Sequence, residues 1–339
     1  MKKIWLFLCL ALLCTSVSAR EQVKIVGSST VYPFASYVAE EFGSVSRYPA
    51  PIVESTGTGG GMKLFCSGND LSSPDITNAS RRMKVKEFND CTRNGVTDIT
   101  EVMFGYDGIV ISQAIENKDF KLTKRELLLA VAKLVPNEKE DALIDNPYTH
   151  WDHINPDFPH REIKIYGPPV SSGTRDAFEE IVMEYQTEGM KVYRDAGLKG
   201  YRIVRTDGVY IPSGENDNLI VQKLSKDTEA LGIFGYSFLV ENTDTIKGIS
   251  IDGVLPTTES ISSQNYPISR SLFFYIKNSH IKDVPAMKEY IDMFLSEELI
   301  GEDGLLTEIG LIPMAPELIE KNLEISVNKI QLRSEDLEE

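Results

Sequence analysis

Three times in this 339-residue chain a strand-like run ends in a turn rich in hydroxyls and glycine, and a helical pattern follows at once. The fullest instance is Gly167 to Glu180, Gly-Pro-Pro-Val-Ser-Ser-Gly-Thr-Arg-Asp-Ala-Phe-Glu-Glu. It follows the alternating run Ile163 to Tyr166 and leads into Phe178, Ile181, Val182 and Tyr185, which share one face at helical spacing. The first N–H groups of a helix lack intrahelical partners and lie at the positive end of its dipole. Ser172, Gly173 and Thr174 are therefore placed to aim several donors at one point, which suits an oxyanion. The same residues also make an ordinary N-cap.

The first instance is the strand Lys24 to Gly27, then Ser28-Ser29-Thr30, then a helix from Pro33 to Val45 with Phe34, Tyr37, Val38 and Phe42 at helical spacing. In the second, Pro51 to Ser55 runs into Thr56-Gly57-Thr58-Gly59-Gly60-Gly61, ahead of a short helix from Met62 to Cys66. Successive glycines let the backbone approach a ligand and turn its N–H groups inward. This is not a Walker A loop, because Lys63 is not followed by Ser or Thr. It is not a dinucleotide fingerprint either, since the spacing of the glycines differs.

Further strands are expected at Asp75 to Ala79, Thr100 to Ile111, Tyr201 to Arg205, Gly232 to Phe238 and Tyr266 to Lys277. Alternation with helices predicts an α/β fold with ligands at the carboxyl ends of strands, where the three turns can converge in one cleft. Gly105 and Gly108 inside the long apolar strand predict a bend between lobes. Tyr266 to Lys277 is expected to return the chain to the first lobe. The expected division is 20–108 with 268–339 as lobe I and 109–267 as lobe II.

Lys2 and Lys3 precede an apolar run from Ile4 to Cys14, and Val17-Ser18-Ala19 offers small residues for cleavage after Ala19. Residues 1–19 read as a secretory signal peptide, too short to span a bilayer. Bulky Leu8 and Leu13 before Cys9 and Cys14 argue against a lipoprotein. The formal net charge is −16, and it becomes more negative once Lys2 and Lys3 are removed. Such a chain has no general attraction for nucleic acid or an anionic membrane, so any bound anion must be held by local dipoles. Cys66 and Cys91 are the two cysteines outside the leader. In an oxidising compartment they form a bridge or remain two buried thiols; neither a redox nor a zinc motif is present.

Five motifs carry a family resemblance: Gly27-Ser-Ser-Thr-Val-Tyr-Pro33, Gly57-Thr-Gly-Gly-Gly-Met-Lys63, Asp75-Ile-Thr-Asn-Ala-Ser-Arg81, Ser172-Gly-Thr174 and Gly232-Ile-Phe-Gly-Tyr236. In this order they resemble the periplasmic phosphate-binding proteins of phosphate ABC transporters, the PstS family. The resemblance implies a two-lobed periplasmic binding protein fold of type II, a Venus flytrap crossed twice by the chain. It also implies a monomer that holds dehydrated inorganic phosphate between the lobes and delivers it to a permease and ATPase, with no cofactor. Thr30 and Val31 match the first-turn contacts, Thr58 a ligand hydroxyl, and Ser172, Gly173 and Thr174 the turn that wraps the anion.

Ser29, Ser80, Arg81 and Arg175 complete the expected site, since a buried dianion must recover its hydration from fixed donors. Two departures stand out. Arg81 occupies the place of an Asp that accepts the phosphate proton in the best-known members, and Pro168 stands where those members carry an Arg. Arg175 is either a ligand or a partner of Glu179 one turn on, and Arg81 is similarly open. Asp107 is either the replacement proton acceptor or a backbone partner.

Another oxyanion, such as sulfate, molybdate or an organophosphate, is the alternative cargo. A hydrolase is less well supported, because Ser171 and Ser172 lack the nucleophile elbow and the chain has only four histidines. His150, His153 and His160, with Asp152 or Asp157, make a weak metal pattern.

Overall fold

The computed structural model describes residues 20–170, 172–214 and 218–337. The signal-peptide reading of residues 1–19 falls outside the described residues. Nine strands among the described residues make one curled, mixed sheet: β1 (Lys24–Gly27), β2 (Ile52–Ser55), β3 (Ile76–Ala79), β4 (Ile99–Ala114), β5 (Ile165–Gly167), β6 (Tyr210–Pro212), β7 (Leu231–Gly235), β8 (Ile246–Gly248) and β9 (Ser269–Lys277). Their spatial order is β2-β1-β3-β9-β4-β7-β5-β6, with β8 also on β4.

β1 pairs in parallel with β2 and β3, and β5 in parallel with β7 and β6. Between these groups the pairing is antiparallel, through β9 and β4. β4 is the strand on which both halves are built. It pairs with β9 as far as Gly108 and with β7 from Ile109 onward. Its largely apolar sequence suits this place, because it is covered on both faces for most of its length.

On one half of the sheet Phe104 packs edge-on against Phe294 with ring centroids 4.9 Å apart, and Phe34 and Phe274 close the cluster. On the other, Phe120 packs against Trp151 and Phe158. Each fully buried aromatic or aliphatic side chain contributes about 2 kcal/mol by removal from water.

Helix α1 (Tyr32–Val45) follows β1, α2 (Thr58–Phe65) follows β2 and α3 (Gly173–Phe178) follows β5, so all three hydroxyl-rich turns join a strand to a helix. Several details depart from the sequence expectation. The glycine run is not a loop; α2 already starts at Thr58, and Gly59 to Gly61 form its first turns. Tyr201 to Arg205 is not a strand and contributes one isolated bridge, Val204 to Ala132, with Ile203 left exposed. β7 stops at Gly235, where a helix, Tyr236–Val240, begins. Beyond α3 the helix widens into a π-turn over Glu179–Glu184. This shifts the helical phase, so Val182 and Met183 are buried while Tyr185, expected on the core face, is 67% exposed.

Candidate functional site

The turn after β1 is fixed by a close approach that only glycine permits. Gly27 has φ of +132°, and a Cβ there would lie 2.1 Å from the Asn78 carbonyl oxygen of β3. The chain then turns through Ser28, whose hydroxyl accepts from the Val31 amide at 3.4 Å, while the Val31 side chain is fully buried. Ser29 and Thr30 are thereby presented toward the start of α3. There Ser172 acts as N-cap, its hydroxyl accepting from the Thr174 amide at 3.2 Å.

The two turns meet directly. The Thr30 hydroxyl donates to the Gly173 carbonyl at 3.3 Å, and the Ser29 hydroxyl donates to Asp176 at 3.1 Å. A Cβ on Gly173 would come within 2.6 Å of the Ser29 carbonyl oxygen. Ser29, Thr30, Ser172, Gly173, Thr174 and Asp107 share a cavity of about 250 Å³, with Phe34, Phe238 and Gly235 on its apolar side.

A residue that sequence reasoning missed supplies positive charge here. Arg270 on β9 stands directly opposite Asp107 on β4, so the antiparallel register itself brings the pair together. Its Nε donates to Asp107 at 3.3 Å, its Nη1 to Glu180 at 3.2 Å and its Nη2 to the Thr30 hydroxyl. The guanidinium is almost wholly buried. One signal could have found it: Arg270 is the only charged residue between Tyr266 and Ile276.

Thr58, Ser80 and Arg81 are together, but beside the cavity and not on its lining. The hydroxyls of Thr58 and Ser80 lie 3.0 Å apart, and Thr58 also accepts from the Ser80 amide at 3.2 Å. Arg81 grips Glu87 through both terminal nitrogens at 2.9 and 2.7 Å and lies 3.9 Å from Glu180. Burial pushes the Glu87 carboxyl up, but hydrogen bonds from Arg81 and the Lys84 amide outweigh it and leave the group below its ordinary value. Arg82 turns outward to Glu101.

Arg175 is placed apart from the cavity. Its guanidinium is buried, pairs with Glu179, donates to the Pro168 carbonyl at 3.4 Å and lies over the Tyr210 ring, 4.3 Å from its centroid. Burial pushes the Glu179 carboxyl above its ordinary value, with the charge of Arg175 only partly opposing it.

Cys66 and Cys91 form a disulfide. The His150 and His160 rings stack 4.6 Å apart and His160 bonds Asp152 at 2.9 Å. Among the described residues no group of three or more His, Cys, Asp or Glu could hold a metal ion.

With this geometry in place, a PBP superfamily domain matches residues 15–298. The chain belongs to the PBP superfamily. This PBP-superfamily chain is 30% identical over 322 residues to Protein SphX of Synechocystis sp., covering 93% of this chain and 85% of that protein. It is 29% identical to the phosphate-binding protein PstS of Staphylococcus saprophyticus over 284 residues, 82% of this chain and 76% of the relative. A solved structure of a possible phosphate binding protein from Planctomyces limnophilus is similar with a TM-score of 0.76 and 28% identity, over 92% of this chain and all of that one. The superfamily member described here groups with the PstS-type proteins and has their periplasmic binding protein fold.

Proposed function

We propose that this chain is an extracytoplasmic solute-binding protein that captures inorganic phosphate between two lobes and delivers it to an ABC permease and ATPase. The observation that carries the reading is the meeting of the turn after β1 with the start of α3 around one cavity that also holds Asp107. Ser29, Thr30, Ser172, Gly173 and Thr174 are the proposed ligands in that cavity, with the Val31 amide behind them. Thr58, Ser80 and Arg81 extend the donor set on the first lobe. Arg175 is assigned to holding the α3 turn in place through Glu179, Pro168 and Tyr210.

The proposed lobes are 20–108 with 268–339 and 109–267, hinged where β4 changes partners and where β9 runs beside it. Phosphate touching both lobes binds the closed form better than the open one and shifts the population toward it. Asp107 is the proposed acceptor for the proton of monohydrogen phosphate, the role that Arg81 cannot fill. Sulfate has no proton to donate and meets a carboxylate instead, which costs binding. The chain is proposed to act as a monomer, exported by a signal peptide cleaved near Ala19, and to bind without catalysing hydrolysis.

Calorimetric titration with phosphate in excess sulfate tests this reading. One phosphate per chain is expected, with little loss of affinity to the competitor, and solution scattering should show compaction on binding. Equal affinity for the two anions overturns the assignment of Asp107, and the absence of phosphate binding overturns the function. A phosphatase assay on the purified protein separates binding from hydrolysis.

A further inference from the structure

Glu180 reaches from the π-turn that continues α3 into the opposite wall of the cleft, between two arginines. Its carboxylate accepts from Nη1 of Arg270 at 3.2 Å and lies 3.9 Å from Nε of Arg81. Arg270 in turn donates to the Thr30 hydroxyl. The carboxylate therefore stands one guanidinium away from a hydroxyl proposed to hold the anion.

Charge makes this placement consequential. Arg81 and Arg270 face three carboxylates, those of Glu87, Asp107 and Glu180. Glu87 is fixed to Arg81 by a two-pronged pair within one segment of chain, and Asp107 is fixed opposite Arg270 by strand register. Glu180 alone comes from the other side of the cleft. It is also the most exposed of the three, its side chain being 30% accessible. Of the three, only this side chain can release its arginines by rotating toward solvent without breaking a local pairing.

We propose that Glu180 is an internal competitor for the cleft arginines: it bridges Arg270 and Arg81 across the cleft, and an incoming oxyanion takes them over as the carboxylate turns outward. The proposal rests on the phosphate reading above. Because the bridge exists before the anion binds and is lost afterwards, it stabilises only the anion-free protein and so weakens binding. The same cost falls on every anion that displaces the carboxylate, so the bridge lowers affinity without changing the order of preference among cargoes.

The test compares the wild-type chain with Glu180→Gln, which keeps the side-chain shape and removes the charge. Phosphate affinity by calorimetry is expected to tighten about tenfold in the variant. In phosphate-free buffer its radius of gyration should exceed that of the wild type, since a cross-cleft ion pair is lost. Glu180→Ala, with no amide left to bond Arg270, should behave likewise, and a single cooperative thermal melt in each variant confirms that both fold. Unchanged or weaker phosphate binding in both variants overturns the proposal. If the wild type binds no phosphate, the functional reading fails, yet the scattering comparison still decides the role of Glu180 as a bridge.

Discussion

The Thr30 hydroxyl donates to the Gly173 carbonyl at 3.3 Å, joining two turns that lie 143 positions apart in the chain. Neither turn is a site by itself. Their junction depends on the bare Cα of Gly173, which lets the start of α3 come against Ser29 and Thr30.

Gly173→Ala is expected to weaken phosphate binding at least tenfold while leaving the fold intact. The new methyl carbon would lie 2.6 Å from the Ser29 carbonyl oxygen and 2.9 Å from the Thr30 Cα, both backbone atoms that cannot yield as a flexible side chain would. The methyl therefore opposes closure more than folding. Calorimetry with phosphate, alongside a thermal melt, checks both halves of the expectation.

Arg175→Ala is expected to cost about 3 kcal/mol of stability, because it leaves Glu179 in a largely buried position without its cation. Phosphate affinity in the folded variant should change by less than about threefold if Arg175 supports the turn. Urea denaturation measures the first effect and titration the second. A collapse of affinity with unchanged stability would instead make Arg175 a ligand.

Replacing Cys66 and Cys91 together with Ser should lower stability by roughly 3 kcal/mol, the loop-entropy value for a closed loop of this size. The bridge spans a sequence separation of 25 and ties the end of α2 to the helix Val85–Arg93, away from the cavity. Phosphate affinity should therefore be retained. Chemical denaturation under oxidising and reducing conditions provides the comparison.

Lys277 gives a pH dependence of defined sign. Its ammonium is buried and donates to the Gly68 carbonyl and the Ser73 hydroxyl, each at 2.7 Å. Burial pushes it down to about 8, with Asp75 and Asp70 opposing the fall. Above that value the unfolded chain still holds the proton that the folded chain has lost. Stability should thus rise with pH from about 8 toward the unfolded lysine value of about 10.4, by up to ~1.4 kcal/mol per unit from this group. Below pH 8 both forms are protonated and the contribution is flat and least favourable. Urea denaturation across this range should show a shallower slope in Lys277→Met than in the wild type; parallel curves would contradict the assignment.

Local rules reached a long way along this chain. Strand, turn and helix follow one another in the predicted order three times, because periodicity and capping chemistry act over neighbouring residues, although the second helix starts at Thr58, inside the run expected to be a turn. The long apolar strand carrying Gly105 and Gly108 was legible as a strand, and its pairing passes from β9 to β7 after Gly108. Less legible was the helix after Ser172, where a π-turn displaces the expected face by a residue and leaves Tyr185 in solvent.

The sequence by itself determined the α/β order, the three turns and the candidates Thr30, Ser172, Gly173 and Thr174, since each of these depends on a few adjacent side chains. Only the tertiary structure decided which charges attend the cleft. Arg270 meets Asp107 through a strand register spanning 163 positions, and Glu180 meets both arginines across the gap between the two sides. Arg175, adjacent to the turn in sequence, is drawn away by Glu179 and Tyr210. An ion pair is chosen by distance in space after folding, and nothing in the local order of residues carries that distance.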